Sequence, residues 1–293
     1  MSGRSRALAV ALGLTVFAGA LDAAAFCQTR GCNDNKQECE YDEHGCLLTG
    51  NLLHWGSSCV SFDVQRDGSA LRGIGYDAAH EAIRAGFSEW LNADCGGGVG
   101  PSVKISDFGP VECRTAEYNQ DSPNANIFMF RDDGWPYENA IDTLALTTLI
   151  FNADTGEIYD ADVEVNTFES PMAIGDVGHG DIDFASVITH EIGHFLGLSH
   201  SDIAGSTMRP SYAPGNTAMA SIEQDDIDGV CATLAPNREV HTDSCEPRHG
   251  FSTDCAVPDS SCQLSPGSPG GIASLLVGLL GLSSMLTRRR LHP

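Results

Sequence analysis

The sequence predicts an α+β fold, in which a twisted mixed sheet carries a central helix and a C-terminal helix. Between Cys59 and Val165, short segments rich in β-branched and aromatic residues alternate with turn signals, as strands do. One stretch within this region and two beyond it place apolar residues at helical spacing. Strands and helices mixed in this way indicate one α+β domain, and residues 57–235 suffice for one sizeable core.

The first predicted strand leads directly into the first predicted helix. Val60 to Val64 alternates apolar and polar residues, and Arg66 to Gly68 supplies the turn that ends this half-buried strand. Tyr76 to Leu91 predicts an amphipathic helix whose apolar face would carry Ala79, Ile83, Phe87, Trp90 and Leu91.

The remaining elements follow in chain order. Further strands are predicted at 126–130, 144–151 and 158–165, with a turn at Asp154-Thr155-Gly156 before the last of them. Asp181 and Asp183 favour the start of the next helix, because acidic side chains suit a helix N-terminus. A final helix is predicted near 222–234.

The first 25 residues are expected to be a signal peptide. Arg4 and Arg6 precede an apolar run that ends at the small-residue site Ala23-Ala24-Ala25. A lipoprotein acylated at Cys27 is the weaker alternative, since Phe26 is bulky for the position before such a cysteine. The protein is therefore expected to be exported, as a secreted or cell-surface (outer-envelope) protein.

The C-terminal end is expected to be a tail distinct from the domain. Residues 236–270 lack periodicity and predict a cysteine-containing linker, and residues 271–293 combine an apolar run with Arg288, Arg289 and Arg290. This tail resembles the sorting tails of some bacterial surface proteins. A permanent transmembrane anchor is the alternative, although the run falls just short of the usual ~17 to 25 residues. Membrane contact is expected only through this segment.

Cysteine usage agrees with export. The chain has 11 cysteines, of which seven precede residue 114 and four follow residue 230. An oxidising compartment favours disulfides, and residues 26–56 are expected to be a cysteine-rich N-terminal segment stapled by them. Spacing does not give the pairing, and the odd count leaves one thiol to be free, removed or modified.

The charge of the chain argues against nucleic acid as a partner. The formal net charge is −24 at pH 7. A chain this acidic repels a phosphate backbone, whereas an extracellular life or calcium binding is compatible with it.

Residues 190–200, His-Glu-Ile-Gly-His-Phe-Leu-Gly-Leu-Ser-His, carry the predicted chemistry. His190 and His194 share one helical face and can both bind one metal ion, for which zinc is expected. Gly197 lets the backbone turn so that His200 becomes the third ligand. Glu191 is placed to act as general base on water activated by the metal, and then as general acid.

This motif and the residues after it resemble the metzincins, and within them the matrixins, the clan of the matrix metalloproteinases. Ser201 follows the third histidine, as in matrixins, and Met208 stands where the family's Met-turn lies beneath the zinc. The resemblance implies the zincin fold, one catalytic zinc ion and cleavage of protein or peptide substrates by a monomer. It also implies substrate contacts along the edge strand and pocket wall, from Leu144, Ala145, Pro210 and Tyr212.

The sequence departs from the matrixin pattern in two respects. The family's inhibitory Pro-Arg-Cys-Gly propeptide motif is absent from the sequence, and Thr147 and Thr148 stand where a second, structural zinc would need histidines. No second zinc is therefore predicted. Calcium is a further candidate cofactor, because hard carboxylates suit it, and the acids considered are Asp154, Asp160, Asp162 and Glu164.

A zinc-dependent endopeptidase is thus the leading hypothesis. The alternatives are a surface-displayed binding or adhesion protein with a vestigial zinc site, and a zinc hydrolase that acts on another kind of bond. Glu191 argues against the first of these, because zinc binding alone does not need this carboxylate.

Overall fold

A computed structural model describes residues 26–32, 38–255, 272–277 and 281–282. The predicted signal peptide, residues 256–271 of the predicted linker and tail, and the basic cluster at the C-terminus lie outside the described residues.

Strands and helices alternate through the described chain. The strands are β1 (Arg30–Gly31), β2 (Asn51–Leu52), β3 (His54–Trp55), β4 (Cys59–Gln65), β5 (Lys104–Val111), β6 (Ile127–Phe130), β7 (Ala145–Asn152), β8 (Glu157–Val165), β9 (Met172–Ala173), β10 (Ile182–Asp183), β11 (Ser211–Tyr212), β12 (Ile272–Val277) and β13 (Gly281–Leu282). The helices are α1 (Tyr76–Leu91), α2 (Phe184–Phe195) and α3 (Gln224–Thr233), with a short 3-10 turn at Ala218–Ala220.

A mixed sheet forms the centre of the molecule. Its strand order is β12-β7-β8-β6-β4-β5, and β3 also pairs with β8. The pairs β4 with β5, β4 with β6, and β6 with β8 are parallel, whereas β7 pairs antiparallel with β8 and with β12. The α+β class predicted from the sequence is confirmed.

Alternating residues divide the sheet between two apolar cores. On β6, Phe128 and Phe130 join the main core under α1 and α2, whereas Ile127 and Met129 join a smaller core on the opposite face. The main core is dense in aromatic rings: the ring centroids of Phe87 and Phe195 lie 5.4 Å apart. Burial of this kind, at about 25 cal/mol per Å² of apolar surface, is the principal stabilising term.

The predicted elements match the structure closely where their apolar pattern is strong. Helix α1 has the predicted bounds, β4, β6, β7 and β8 lie at the predicted positions within one or two residues, and α3 lies within the predicted range. Helix α2 begins where expected: the side chain of Asp183 caps it by accepting a hydrogen bond from the Ser186 amide at 3.0 Å. Strand β5 was not predicted.

The N-terminal segment is stapled and packs behind the end of α2. Its two disulfides join Cys27 to Cys46 and Cys32 to Cys39. The Thr29 amide donates to the Gly197 carbonyl, and the Ser199 amide donates to the Cys27 carbonyl. The segment therefore supports the turn between α2 and His200.

Residues 236–255 return to the sheet. Disulfides join Cys59 to Cys245 and Cys113 to Cys255, and a further one joins Cys95 to Cys231 on α3. The guanidinium group of Arg238 donates to the carbonyls of Trp55, Ser57 and Ser102. Five disulfides in the described residues agree with an exported protein; Cys262 lies outside these residues.

Part of the apolar C-terminal run is a strand. Residues 272–277 form β12, which extends the sheet beside β7, and β13 pairs with β11. Among the described residues, no helix has the length and apolar character that crossing a bilayer requires.

Candidate metal centre

Helix α2 places His190, Glu191 and His194 inside the molecule. All three side chains are fully buried, on a helix held by two tryptophans. The indole of Trp90 donates to the Thr189 carbonyl at 2.8 Å, and that of Trp55 donates to the Phe195 carbonyl at 2.8 Å. The helix that carries the histidines is thus fixed at both its middle and its end.

A glycine turn brings the third histidine back to the helix. Gly197 has φ of +102°, a left-handed conformation that a residue with a Cβ rarely adopts. A Cβ at this position would also lie 3.1 Å from the Leu53 carbonyl oxygen. The chain then doubles back, and the ring of His200 lies 5.3 Å from that of His190 and 4.9 Å from that of His194.

The outer ring nitrogens of two histidines are held by backbone carbonyls. Nδ1 of His190 lies 2.6 Å from the Thr207 carbonyl oxygen, and Nδ1 of His194 lies 2.9 Å from the Leu198 carbonyl oxygen. Each Nδ1 must carry its proton to donate there, which leaves Nε2 as a lone pair. Partners of this kind are typical of metal-ligating histidines.

The inward-facing nitrogens fit a bound cation. Nε2 of His190 and Nε2 of His194 lie 3.1 Å apart, and two lone pairs at this distance repel unless a positive ion lies between them. Nε2 of His200 is buried and has no hydrogen-bond partner within the described part of the chain. One nitrogen from each ring belongs to a group whose members all lie within 4.8 Å of one another. Three imidazoles fit zinc in an open site.

Burial keeps the three imidazoles in the neutral form that binds metal. Burial, with a smaller contribution from the neighbouring His200, lowers the pKa of His190 to about 3. Burial also lowers the pKa of His200 to about 4 and that of His194 well below its usual value. Neutral rings at physiological pH offer their lone pairs without first losing a proton.

Glu191 lies beside the histidines and has one free oxygen. Its Oε2 accepts a hydrogen bond from the Thr147 hydroxyl on β7 at 2.6 Å, while Oε1 has no partner among the described residues. Burial raises the pKa of Glu191 to about 8, and the Thr147 hydroxyl opposes this rise. The carboxyl group is thus oriented by one oxygen and available through the other.

Met208 lies under the histidine helix. A Cβ on Gly193 would overlap its thioether sulfur, so the methionine packs directly against the backbone between His190 and His194. The turn is held by Asp226 of α3, whose carboxylate accepts from the Ser206 hydroxyl at 2.6 Å, the Thr207 amide at 2.8 Å and the Met208 amide at 3.1 Å. The same turn supplies the Thr207 carbonyl that orients His190.

The predicted substrate-contact residues lie on two separate segments, one at β7 and one around β11. Leu144 and Ala145 are buried at the start of β7, and Pro210 is exposed just before β11. The Tyr212 hydroxyl accepts from the Asp183 amide at 2.9 Å and donates to the Asn216 carbonyl at 2.5 Å. Tyr212 therefore fixes the wall segment to the start of α2.

Two of the four acids considered for calcium are engaged with protein groups, whereas both oxygens of Asp160 are buried without a partner among the described residues. The oxygens of Asp162 accept from the amides of Ile127 and Glu117, and Glu164 accepts from Arg131 and the Tyr137 hydroxyl. Among the described residues, the groups that could hold a metal do not include these acids. Calcium binding by Asp154, Asp160, Asp162 and Glu164 stays a prediction.

Sequence reasoning missed the groups that hold the centre from outside it. These are Thr147, the carbonyls of Thr207 and Leu198, and Asp226. Backbone carbonyls leave no trace in a sequence, and Thr147 was considered only as a residue unable to bind a second zinc. For Asp226, the signal was its place at the start of α3, where a capping box with Glu223 is formed.

Comparison with known proteins places this centre in a matrixin-like region. Residues 114–233 match the model of the matrixin peptidase family, Peptidase M10. The chain is 32% identical to Metalloendoproteinase 1-MMP of Arabidopsis thaliana over 165 residues, covering 55% of this chain and 39% of that protein. It is 42% identical to Metalloendoproteinase 1 of Glycine max over 158 residues, covering 53% and 45%.

A further relative, a human protein, matches over a shorter stretch of the chain. The identity to neutrophil collagenase of Homo sapiens is 52% over 46 residues, or 16% of this chain and 10% of that protein. The chain spans less than half the length of these relatives. The likeness supports the predicted matrixin-like metzincin fold.

Proposed function

We propose that this matrixin-like chain is a zinc-dependent endopeptidase that cuts extended segments of other proteins. The observation that carries the proposal is the convergence of three inward-facing histidine nitrogens beside a buried carboxyl group with one free oxygen. A site that only stored zinc would not need the oxygen of Glu191 to be free. The matched relatives are metalloendoproteinases by name, which agrees with this assignment.

His190, His194 and His200 would hold the zinc ion. When bound, zinc supplies Lewis-acid chemistry, polarising a carbonyl group and making a water molecule more acidic. The carbonyls of Thr207 and Leu198 keep the rings of His190 and His194 in the tautomer that this binding requires.

Glu191 would move the proton. A cation bound by the neighbouring histidines would favour the ionised form of this carboxyl group. Its free Oε1 would then accept a proton from the attacking water and pass it to the nitrogen of the departing amine, while the water's oxygen stays on the carbonyl carbon. The Thr147 hydroxyl holds the other oxygen and keeps Oε1 in place during both transfers. General acid–base catalysis of this kind contributes about 10² to 10⁴ in rate.

The substrate would bind as an added strand. Leu144 precedes β7 and Ala145 starts it; β7 would be the edge strand of the sheet if β12 were not paired with it. Pro210 and Tyr212 would form the wall on the other side of the centre. A peptide that pairs with both must be extended, which restricts cleavage to unfolded or loop segments. We place an apolar residue after the cut bond, and we expect an exported monomer that works outside the cytoplasm.

The test uses the chain from Phe26 to Pro293 with unfolded casein and a broad peptide mixture. We expect cleavage that stops when a chelator removes zinc and returns when zinc is added back, with products mapped by mass spectrometry. Cleavage insensitive to chelation would contradict the zinc mechanism. A folded, zinc-loaded chain that cuts none of the peptides would favour the binding protein instead.

A further inference from the structure

The apolar segment near the C-terminus lies along the proposed substrate cleft. Strand β12 runs antiparallel to β7, with Ile272 opposite Asn152 and Val277 opposite Thr147. Strand β13 then runs parallel to β11, with Gly281 opposite Ser211 and Leu282 opposite Tyr212. Two segments separated by three residues thus pair with the two strands, β7 and β11, between which a substrate is proposed to bind.

Both of these pairings adjoin the metal centre. Thr147, opposite Val277, is the residue whose hydroxyl donates to Glu191. Ser211, opposite Gly281, follows the turn that holds Met208 beneath the histidines. Residues 278–280 lie outside the described residues, but in the sequence they join the two segments that adjoin the centre.

One side chain of the segment can be followed into the core. Leu275 is half-buried and packs against the main apolar core, opposite Leu149 of β7. The segment therefore adds an apolar contact to its backbone pairing, as expected for a peptide that adds to a sheet edge.

We propose that the apolar run occupies the substrate cleft through its described parts, residues 272–277 and 281–282, which bind in the manner of a substrate and exclude other peptides. This inference rests on the proposed function, because that function defines the cleft. An apolar, extended stretch without charged residues is also the kind of peptide that the cleft is proposed to accept. The chain would then release its cleft only when the segment leaves or is removed.

Attachment to the chain makes the segment an effective competitor. Only residues 256–271 separate it from Cys255, which is fixed to the sheet by its disulfide with Cys113. A short connection between two binding segments gives an effective concentration of about 1 mM. A segment with an intrinsic Kd of ~0.1 mM would then weaken the binding of an external peptide about tenfold.

The test uses hydrogen exchange in the chain from Phe26 to Pro293 carrying Glu191→Ala, which removes any cleavage of the segment. In this background we compare Leu275→Asp with Leu71→Asp, a matched control at an exposed leucine far along the chain. We expect Leu275→Asp to speed the exchange of alternate β7 amides, those that face β12, by at least tenfold. The amides of β6, which has neighbours on both sides, and the Leu71→Asp control should not change.

A binding measurement gives the size of the competition. A fluorescent peptide with the sequence of residues 270–284 should bind the Leu275→Asp form about tenfold more tightly than the Leu71→Asp form. Equal exchange of the β7 amides in the two forms would overturn the proposal. Because neither readout needs catalysis, such a failure is distinguishable from a failure of the peptidase assignment.

Discussion

Two buried polar clusters lie on this sheet and its helices, and they differ in how their polar atoms are satisfied. In the histidine centre, the outer nitrogens of His190 and His194 have carbonyl partners and the inner nitrogens converge on one point. In the carboxylate cluster, formed by Asp63 of β4 with Asp160 and Asp162 of β8, several carboxyl oxygens have no hydrogen-bond partner among the described residues.

The carboxylate cluster is only partly satisfied. Both oxygens of Asp162 accept amide hydrogen bonds, whereas all four oxygens of Asp63 and Asp160 are buried without a partner in the described part of the chain. Burial and the neighbouring acids raise the pKa of Asp63 to about 8, and burial raises the pKa of Asp160 and Asp162 well above the usual range. These groups therefore respond to burial by holding protons.

The comparison shows two physical outcomes of burying titratable groups. A histidine that becomes neutral on burial presents the lone pair of a ring nitrogen, so several buried histidines can bind one cation. An acid that gains a proton on burial becomes neutral and offers no such ligand. Burial thus favours metal binding in the first cluster and opposes it in the second.

Removing a histidine ligand gives the largest expected effect. His194→Ala should lower zinc affinity by more than ~100-fold, because changing even a hydrogen-bond partner of a ligand costs about 10- to 100-fold. Zinc content after dialysis against graded chelator measures this. His241→Ala, at an exposed histidine, is the control. Equal zinc retention in the two variants would show that the three rings do not hold the ion.

A substitution at Asp226 tests whether the hydrogen bonds of this carboxylate hold the turn beneath the metal centre. Asp226→Asn should destabilise the fold by about 2 to 3 kcal/mol, because an amide NH₂ group would face donors that now meet an oxygen. Denaturant unfolding with the disulfides intact measures the change. Asp228→Asn, on the exposed side of α3, should have little effect. A similar loss of stability in both variants would show that the Asp226 hydrogen bonds have no special role in the fold.

Substitution of Asp63 has the smallest expected effect on the free energy of unfolding, and it should stabilise the fold where Asp226→Asn destabilises it. Because the folded-state pKa of about 8 exceeds the ordinary 3.8, Asp63 contributes stability that is complete below about pH 4 and is lost as the pH rises toward 8. Asp63→Asn removes this dependence. The variant should therefore be more stable than the parent at pH 8 by about 1 to 3 kcal/mol, and the difference should shrink toward pH 4.

Unfolding free energies of parent and variant from pH 4 to 8 provide this comparison. Asp154→Asn, in the turn between β7 and β8, is the control and should follow the parent at every pH. A stability difference for Asp63→Asn that does not change with pH would contradict a buried, protonated Asp63.

The sequence predicted the elements whose apolar pattern is regular. Helix α1 carries an unbroken apolar stripe, and the eleven residues from His190 to His200 contain the three ligands, the base and the glycine that joins them. Strand β5 was missed because Gly109 and Pro110 lie within it and its residues are mostly half-exposed. Apolar alternation does not reveal a strand whose two faces are buried to a similar extent.

Contacts between distant segments could not be predicted. The Thr147 hydroxyl meets Glu191 only because β7 lies beside α2, and the Asp226 carboxylate meets the Met208 turn only after α3 packs. The disulfide pairs span up to 186 residues, and spacing does not encode them. The position of β12 is of the same kind, since an apolar run specifies neither its partner strand nor its register.

The most direct measurement compares the chain from Phe26 to Pro293 with its Glu191→Gln variant on one peptide substrate, with zinc content determined for both. Glutamine keeps the shape of the side chain and cannot accept the proton. We predict that kcat/KM falls by about 10² to 10⁴ while zinc remains at one ion per chain in both proteins. Equal kcat/KM in two equally zinc-loaded proteins would contradict the account, because Glu191 would then take no part in the chemistry.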